Sequence, residues 1–278
     1  MAWLLKVEDL AVVHGRGCER CTELTGPGQG TNTCPVCGSI VACAEVGFDV
    51  HAGEVVGIVG ESGSGKSTVL QAIFQDVRPR RGRALFRPYE DGTRNIWEAD
   101  RLVRRRLRTH DMAMIYQNPR QGLNLMVTAG GNIGERLLAA GWRNVGDIRT
   151  KASDYLRRTE VPLDRMDDFP AFFSGGMQQR VQISKALANS PNLVLMDELT
   201  TGLDVSVQAG VLDLVRNIQR QYEMTVVIVS HDLAVIRLLA DRTLVMKQGR
   251  IVEAGLTDQV LEDPQHAYTQ LLVNSAAA

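Results

Sequence analysis

Short apolar runs that predict buried strands alternate along the chain with longer amphipathic stretches that predict helices. Residues 54–60 predict a strand that runs into a glycine-rich turn, and residues 66–74 predict the helix that follows it. In the last third, strands predicted at residues 193–196 and Thr225–Val229 enclose a helix predicted at residues 207–222. This alternation indicates an α/β fold with a mainly parallel sheet covered on both faces.

Three segments depart from this alternation. Residues 4–7 and 44–50 predict strands, and the Gly-, Cys- and Thr-rich stretch between them has little apolar periodicity, which indicates an insertion. Residues 118–190 are mostly helical by pattern, and a hairpin is predicted across residues 247–249. The domains that we expect are a core of residues 1–117 and 191–278, a helical subdomain of residues 118–190, and the insertion of residues 15–44.

Residues 60–67, with the sequence GESGSGKS, fit the pattern G-x4-G-K-S between a predicted strand and a predicted helix. Glycines there let backbone N–H groups turn towards phosphate oxygens, and the helix N-terminus adds partial positive charge. Lys66 supplies a charge for the β- and γ-phosphates, and the Ser67 hydroxyl can coordinate Mg²⁺. These two residues argue against the alternative of a plain glycine-rich turn. The expected nucleotide contacts in this segment are Gly60, Glu61, Ser62, Gly63, Ser64, Gly65, Lys66, Ser67 and Thr68.

A second piece of nucleotide chemistry follows the strand predicted at residues 193–196. Asp197 emerges at the carboxyl end of this strand, where open α/β sheets bind ligands, and it can hold Mg²⁺. Glu198 comes next and is placed to orient or deprotonate an attacking water. An Asp-Glu pair after a strand is common and usually belongs to a solvated loop. Its value as evidence for a catalytic site therefore depends on the other motifs.

Residues 173–180, with the sequence FSGGMQQR, resemble the signature motif of ABC ATPases. The resemblance covers nearly the whole chain in the family's order. It implies a P-loop nucleotide-binding domain with a RecA-like core, an antiparallel β subdomain and a helical subdomain. It also implies that residues 201–204 form the D-loop and that His14 stacks on adenine. The site residues that it implies are Glu198, His231, Lys66 and Gln117 for catalysis, Ser67, Gln117 and Asp197 for Mg²⁺, and His14, Ser174, Gly175, Gly176, Gln178 and Asp204 for nucleotide contacts.

Each short motif has a plainer explanation when it is taken alone. Ser174 could be an ordinary helix N-cap, His231 a hydrogen-bonded loop histidine, and Gln117 a polar surface residue. Their joint occurrence in the family's order favours the ABC interpretation. Leu199 departs from the pattern, because the family usually has proline after the catalytic glutamate. No reacting group is lost by this change, so ATP hydrolysis is still expected.

The resemblance also implies a dimer. Phosphoryl transfer depends on positioning and electrostatics, and the P-loop covers only part of the triphosphate. In ABC proteins the Ser-Gly-Gly turn of a second subunit closes the other side, so two ATP molecules join two subunits head to tail. The second subunit is either another copy of this chain or a related ABC subunit. An ATP-locked scaffold without turnover is the alternative, and Glu198 and His231 argue against it.

Further stretches resemble the ATP-binding subunit of the bacterial carbon–phosphorus lyase system, which handles phosphonates. The more telling ones are residues 130–137 and the tail that ends at residues 268–272. This resemblance implies an ATPase that binds and remodels the lyase core, while an iron–sulfur subunit cleaves the C–P bond. The rival is the ATPase of an oligopeptide or dipeptide importer, which shares a Pro-x-His-x-Tyr-Thr tail like residues 264–269. Such importers continue beyond this tail, so a chain that ends at Ala278 is expected to belong to the lyase group.

All five cysteines lie between Cys18 and Cys43, and four of them form two C-x2-C pairs. Cys18 with Cys21, and Cys34 with Cys37, each resemble a zinc knuckle. A metal site with four cysteine ligands would supply the folding energy that this polar segment lacks. Ligand type and spacing favour structural Zn²⁺ over the alternatives of an iron–sulfur cluster or unpaired thiols. Cys43 is expected to be a thiol that does not bind the metal. The insertion itself is expected to be a protruding partner-binding segment beside the adenine.

Composition narrows the partners and the compartment. The chain has 278 residues and a formal net charge of −1, so no bulk basic field indicates nucleic-acid binding. The arginine-rich run at residues 101–108 predicts a solvated helix face, with Leu102 and Leu107 packed inward. No stretch approaches the roughly 20 apolar residues that cross a bilayer, and residues 1–10 lack a secretory pattern. A cytoplasmic protein without a transmembrane segment of its own is therefore expected.

Overall fold

The structure, a computed structural model, describes residues 3–202 and 204–276, without the side chains of residues 205, 206 and 276. Leu203 of the predicted D-loop therefore lies outside the described residues. The chain divides into two compact units. Unit 1 comprises Met1–Arg104 and Thr225–Ala278, and unit 2 comprises Arg105–Met224.

Strands and helices alternate through both units. The strands are β1 (Trp3–His14), β2 (Ile40–His51), β3 (Val55–Val59), β4 (Arg81–Phe86), β5 (Met112–Ile115), β6 (Leu193–Asp197), β7 (Thr225–Val229), β8 (Arg242–Lys247) and β9 (Arg250–Leu256). The α-helices are α1 (Lys66–Ile73), α2 (Arg101–Arg106), α3 (Pro119–Gly122), α4 (Ala129–Ala139), α5 (Val145–Arg158), α6 (Gly175–Leu187), α7 (Val205–Tyr222), α8 (Leu233–Leu239), α9 (Thr257–Glu262) and α10 (Ala267–Ala276).

Unit 1 is built on an antiparallel sheet and a mainly parallel one. The antiparallel sheet has the order β2-β1-β4, and the second has the order β7-β3-β8-β9, in which only β9 runs antiparallel to its neighbour. All five residues of β3 and of β7 are buried, as in a parallel strand that is covered on both faces. Gly57 lets α8 pack directly on β3, because a Cβ there would come within 3.0 Å of Ile236 and Ala240.

Unit 2 contains the parallel pair β5 and β6 together with the helices α3 to α7. Helix α6 is anchored to the end of β5 by Gln182, whose side chain exchanges two hydrogen bonds with the backbone of Tyr116, at 2.9 and 3.0 Å. The α/β class, the antiparallel β sheet and the helical segment are therefore confirmed. Among the described residues, no helix is both long and apolar enough to pass through a bilayer.

The prediction for the arginine-rich run is half wrong. Leu107 is 1% exposed, as expected, but Leu102 is 77% exposed. The two residues are five positions apart, and five positions of an α-helix turn through about 500°, so their side chains point about 140° apart. The helix also ends at Arg106, and a π-helical turn, Leu107–Asp111, carries Leu107 into the core.

Candidate nucleotide site and cysteine cluster

The predicted phosphate-binding loop, residues 60–67, joins β3 to α1 and encloses the Lys66 amine. Lys66 Nζ donates to the carbonyl oxygens of Gly60 and Glu61, both at 2.8 Å, and the side chain is 4% exposed. Lys66 is also the first residue of α1. The ammonium charge and the partial positive charge of the helix N-terminus are thus held in one place, which suits an anionic ligand.

Two glycines of this loop cannot carry a side chain. Gly60 has φ 150°, and a Cβ there would lie 2.1 Å from the carbonyl oxygen of Met246. Gly65 has φ 99°, and a Cβ there would lie 2.0 Å from the carbonyl oxygen of Ala42. The loop therefore packs backbone against backbone on β2 and β8, as a tight phosphate cradle requires.

The loop is braced from outside by two features of unit 1 that the sequence did not reveal. Gly249, in the β8–β9 turn, donates its N–H to the carbonyl of Ser64 at 3.0 Å. The Glu61 N–H donates to the hydroxyl of Tyr268 at 2.9 Å, and the Lys247 ammonium lies 4.7 Å from the centroid of the Tyr268 ring. Tyr268 belongs to the Pro-x-His-x-Tyr-Thr tail. That motif indicates a family, but it does not indicate a contact with the phosphate-binding loop.

The two predicted histidines of the site also lie in unit 1, and both are exposed. His231 lies two residues after the end of β7, and the intervening Ser230 donates its N–H to the carbonyl of Ile58 on β3 at 3.2 Å. His231 and the phosphate-binding loop therefore leave the same edge of the parallel sheet, at the carboxyl ends of adjacent strands. His14 is the last residue of β1 and pairs with Ile40, so it borders the cysteine insertion.

Unit 2 brings together two of the predicted catalytic residues. Asp197 ends β6 and is 7% exposed. Glu198 follows with φ 41°, and its Oε2 accepts hydrogen bonds from Gln117 Nε2 at 2.8 Å and from Thr201 Oγ1 at 3.0 Å. The carboxylate is thus oriented by two donors. Thr201 belongs to the predicted D-loop, and that motif gave no indication of its contact with Glu198. Leu199, which stands where the family usually has proline, is buried.

The predicted signature turn lies at the N-terminus of α6. Ser174 is the N-cap, since its hydroxyl accepts from the Met177 N–H at 3.3 Å, yet Ser174 and Gly175 are both exposed. Gly176 is buried, and a Cβ there would lie 2.3 Å from the Val207 side chain. The turn can therefore act as a cap and still present its polar groups outward.

Two further predicted nucleotide contacts differ in their surroundings. Gln178 is 8% exposed, and its amide donates to the carbonyl of Pro170 at 2.8 Å, so it supports the turn from within. Asp204 is exposed at the N-terminus of α7. The neighbouring Leu203 is outside the described residues.

Residues 130–137 have a structural role within unit 2. Asn132 is fully buried, and its amide donates to the carbonyls of Asn124 and Val127, both at 2.9 Å. Arg136 donates to the carbonyl of Met112 at the start of β5 at 2.8 Å, and burial lowers the pKa of its guanidinium to about 10. This stretch holds the segment after Gln117 in place.

The four cysteines of the two C-x2-C pairs converge in unit 1. Their sulfurs all lie within 4.8 Å of one another. The Sγ–Sγ distances are 3.5 Å between Cys18 and Cys21, 3.7 Å between Cys18 and Cys34, and 3.4 Å between Cys21 and Cys37. A tetrahedral zinc ion with Zn–S bonds of about 2.3 Å would separate its sulfurs by about 3.8 Å. The cluster therefore fits a single ion, and it leaves little room for several irons and sulfides.

Local hydrogen bonds prepare this cluster for a cation. The Cys18 N–H donates to Cys21 Sγ at 3.0 Å. Hydrogen bonds from Ser39 lower the pKa of the Cys37 thiol, which favours the thiolate form that a metal ligand needs. Cys43 stands apart on β2, where burial raises the pKa of its thiol to about 12. A neutral, enclosed thiol agrees with its expected role as a thiol that does not bind the metal.

Comparison with known protein sequences gives three findings. The family model "ABC transporter" matches residues 43–201. The chain is 51% identical to the putative phosphonates utilization ATP-binding protein PhnK of Escherichia coli (strain K12), over 91% of this chain and 94% of that protein. It is 40% identical to the peptidoglycan transport ATP-binding protein YejF of Agrobacterium fabrum (strain C58 / ATCC 33970), over 84% of this chain but 43% of that protein.

Among solved structures, the fold is similar to the ATP-binding cassette MJ0796, determined as a dimer in a post-hydrolysis state with ADP and Pi. The TM-score is 0.75 at 26% sequence identity, and the match covers 91% of this chain and 98% of that chain.

Proposed function

Since this chain belongs to the ABC transporter family and is an ABC-type ATPase, we propose that it serves a carbon–phosphorus lyase complex in phosphonate breakdown. The observation that carries this proposal is the 51% identity, over nearly the full length of both chains, to a protein named for phosphonate utilization. The transport relative YejF is less similar, at 40%. ATP binding and hydrolysis would remodel the lyase core and would not cleave the C–P bond.

Unit 1 would bind the nucleotide by its phosphates and its base. Lys66 and the backbone N–H groups of residues 63–68 would hold the β- and γ-phosphates, and His231 would contact the γ-phosphate. His14, exposed at the end of β1, would stack on adenine. The enclosed Lys66 amine and the two glycines without room for a Cβ support this assignment.

Unit 2 would contribute the groups that act on water and on Mg²⁺. Glu198 would orient and deprotonate the attacking water, held in place by Gln117 and Thr201. Mg²⁺, when bound, neutralises phosphate charge, and the motifs assign Ser67, Gln117 and Asp197 to hold it. Hydroxyl, amide and carboxylate oxygens are the ligands that Mg²⁺ prefers.

A second subunit would complete each site. We take it to be another copy of this chain or a related ABC subunit, whose Ser174, Gly175 and Gly176 would close over the γ-phosphate. The exposure of Ser174 and Gly175 at the N-terminus of α6 supports this arrangement, because both the hydroxyl and the helix N-terminus face outward. Asp204 would lie at the same interface, and Gln178 would position the turn.

The cysteine cluster would bind one structural Zn²⁺. Four sulfurs at tetrahedral spacing support this assignment, with Cys18, Cys21, Cys34 and Cys37 as the ligands. Metal analysis of the purified protein tests it, and we expect one zinc per chain. Cys34→Ser should lose the metal, whereas Cys43→Ala is the matched control and should keep it. Metal-free protein of unchanged stability would end this assignment.

The partner is tested by affinity purification from cells that use a phosphonate as their phosphorus source. We expect the lyase subunits to co-purify. Recovery of integral permeases instead would support the alternative, the ATPase of an oligopeptide or dipeptide importer, which the Pro264–Thr269 tail also fits. Exposed apolar side chains in the helical segment, Met126, Val145 and Phe172, are candidates for the contact, with exposures of 80%, 76% and 76%.

A matched pair of variants sharpens this test. Phe172→Ser should lose the lyase subunits while ATP hydrolysis remains. Leu102→Ser is the control, because Leu102 is 77% exposed but lies outside residues 118–190, where ABC proteins couple to their partners.

The role of Glu198 has a separate test. Glu198→Gln keeps the size of the side chain and removes the base, so hydrolysis should fall by about 100-fold or more while Mg·ADP still binds. The exposed Glu262→Gln should hydrolyse ATP at the normal rate. Hydrolysis that survives Glu198→Gln would contradict the assignment of the base.

A further inference from the structure

We propose that the metal-bound cysteine insertion sets the position of the phosphate-binding loop through Arg250 and the β8–β9 turn, so that nucleotide affinity depends on metal occupancy. This inference rests on the proposed nucleotide and zinc sites. All the residues that carry it lie within unit 1.

The first step runs from the metal ligands to β2. Cys21 and Cys34 are 2% and 1% exposed, so half of the ligand set lies inside the protein. The Val41 N–H donates to the carbonyl of Asn32 at 2.8 Å, which ties the insertion to the start of the strand. The apolar cluster around these ligands consists of Ala11, Cys21, Cys34, Val41 and Ala44. An ion that fixes the sulfurs therefore also fixes their packing against β2.

The second step is Arg250, the first residue of β9. Its Nη2 donates to the carbonyl of Thr22, next to the ligand Cys21, at 2.8 Å, and its Nε lies 3.3 Å from the Glu45 carboxylate on β2. The Arg250 side chain is only 13% exposed, and a Cβ built on Gly26 of the insertion would lie 3.7 Å from it. One guanidinium thus joins the insertion, β2 and β9. The Thr22 carbonyl is in place to accept the hydrogen bond from Arg250 only when the insertion is folded.

The third step runs from Arg250 to the phosphate-binding loop. Its neighbour Gly249 donates to the carbonyl of Ser64 at 3.0 Å and accepts from the Ala44 N–H at 2.9 Å. Gly65 lies so close to Ala42 that a Cβ there would be 2.0 Å from its carbonyl oxygen. These are contacts between backbones, with no flexible side chain between them to absorb a displacement. A shift of Arg250 or of β2 therefore moves the loop.

Such coupling is reciprocal. If the metal strengthens nucleotide binding by some factor, the nucleotide must strengthen metal binding by the same factor. Coupling free energies between linked sites usually correspond to about 5- to 150-fold in affinity. Because this route passes through a few hydrogen bonds, we expect about 5- to 20-fold.

The experiment measures Mg·ADP affinity by calorimetry. Zinc-loaded wild-type protein is compared with chelated wild type and with zinc-loaded Arg250→Gln. The chelated wild type and zinc-loaded Arg250→Gln should each bind Mg·ADP about 5- to 20-fold more weakly than the zinc-loaded wild type. Arg250→Gln should still contain one zinc per chain. Arg250→Lys should restore part of the affinity, because an ammonium can make one of the two contacts. The control is Arg237→Gln, which changes an exposed arginine that pairs with Glu262 on α9 and should bind normally.

A second readout separates coupling from a merely structural role. Zinc affinity is measured by competition with a chromophoric chelator, with and without Mg·ADP. Mg·ADP should raise the zinc affinity of the wild type by the factor measured above, and it should do so much less in Arg250→Gln.

The outcomes are distinguishable. Chelated protein and zinc-loaded Arg250→Gln that both bind Mg·ADP like the wild type would overturn the coupling and leave both proposed sites standing. Wild-type protein without metal would remove the zinc site and the coupling together. If chelated protein unfolds, zinc-loaded Arg250→Gln still tests the coupling, because this variant keeps its metal. Weaker binding in Arg237→Gln as well would show a general surface effect and would also overturn the coupling.

Discussion

The phosphate-binding loop and the cysteine insertion both lean on β2, but they are held there in opposite ways. The loop packs through its backbone, with Gly65 against Ala42. This packing is possible only because Gly65 has no side chain. The insertion packs through side chains, and its four thiols need an ion to share. The first region should therefore be sensitive to any added atom, and the second to the loss of its metal.

The largest effect should come from adding one carbon to the loop. Gly65→Ala places a Cβ 2.0 Å from the Ala42 carbonyl oxygen at a positive φ, so Mg·ADP affinity should fall by about 100-fold or more. Gly63→Ala is the matched control, because φ is also positive there but no atom lies within 4 Å. It should lose about 10-fold, from conformational strain alone. Equal losses in the two variants, measured by calorimetry, would refute the backbone-packing explanation.

Removing the metal should have a smaller and more local effect. Chelation should speed tryptic cleavage after the exposed Arg16 and Arg20 by about 10-fold or more, because the insertion then opens locally. Cleavage after Arg237 on α8 serves as the internal control and should not change. Mass spectrometry of the fragments checks this. Equal protection with and without metal would mean that the insertion folds by itself, and the contrast with the loop would disappear.

The smallest effect should follow from loosening the outer brace of the loop. Tyr268→Phe removes the acceptor of the Glu61 N–H and keeps the ring beside Lys247. One such hydrogen bond contributes about 0.5–1.5 kcal/mol, so Mg·ADP affinity should fall by about 2- to 10-fold. Tyr89→Phe, in the segment after β4, is the control. Unchanged affinity in Tyr268→Phe would show that the loop needs no support from α10.

The features that could be predicted from the sequence are those that depend on a local pattern of residues. Strand β7 has the predicted bounds, because its β-branched run of Thr, Val and Ile begins after Met224 and ends before the polar Ser230. The cysteine cluster was predictable because each pair is only three residues apart. The prediction for Leu102 is wrong because the helical rotation between Leu102 and Leu107 points their side chains in different directions.

The contacts between distant segments could not be predicted in this way. Glu61 and Tyr268 are 207 positions apart, and nothing local to either residue indicates the other. The position of Arg250 beside Thr22 likewise depends on how the β8–β9 hairpin packs on β2. Thr201 needed the positive φ of Glu198 to bring its hydroxyl to the carboxylate.

The claim on which the ATPase mechanism depends is that each site combines the lysine loop of one subunit with the serine turn of another, and it is tested most directly for two copies of this chain. Lys66→Ala removes the first half, and Ser174→Arg blocks the second, so each variant alone should be inactive. In an equal mixture, half of the dimers pair one variant with the other, and each of these has one complete site. Hydrolysis should therefore return to about a quarter of the wild-type rate. A mixture as inactive as its components, or full activity in Ser174→Arg alone, would contradict the account.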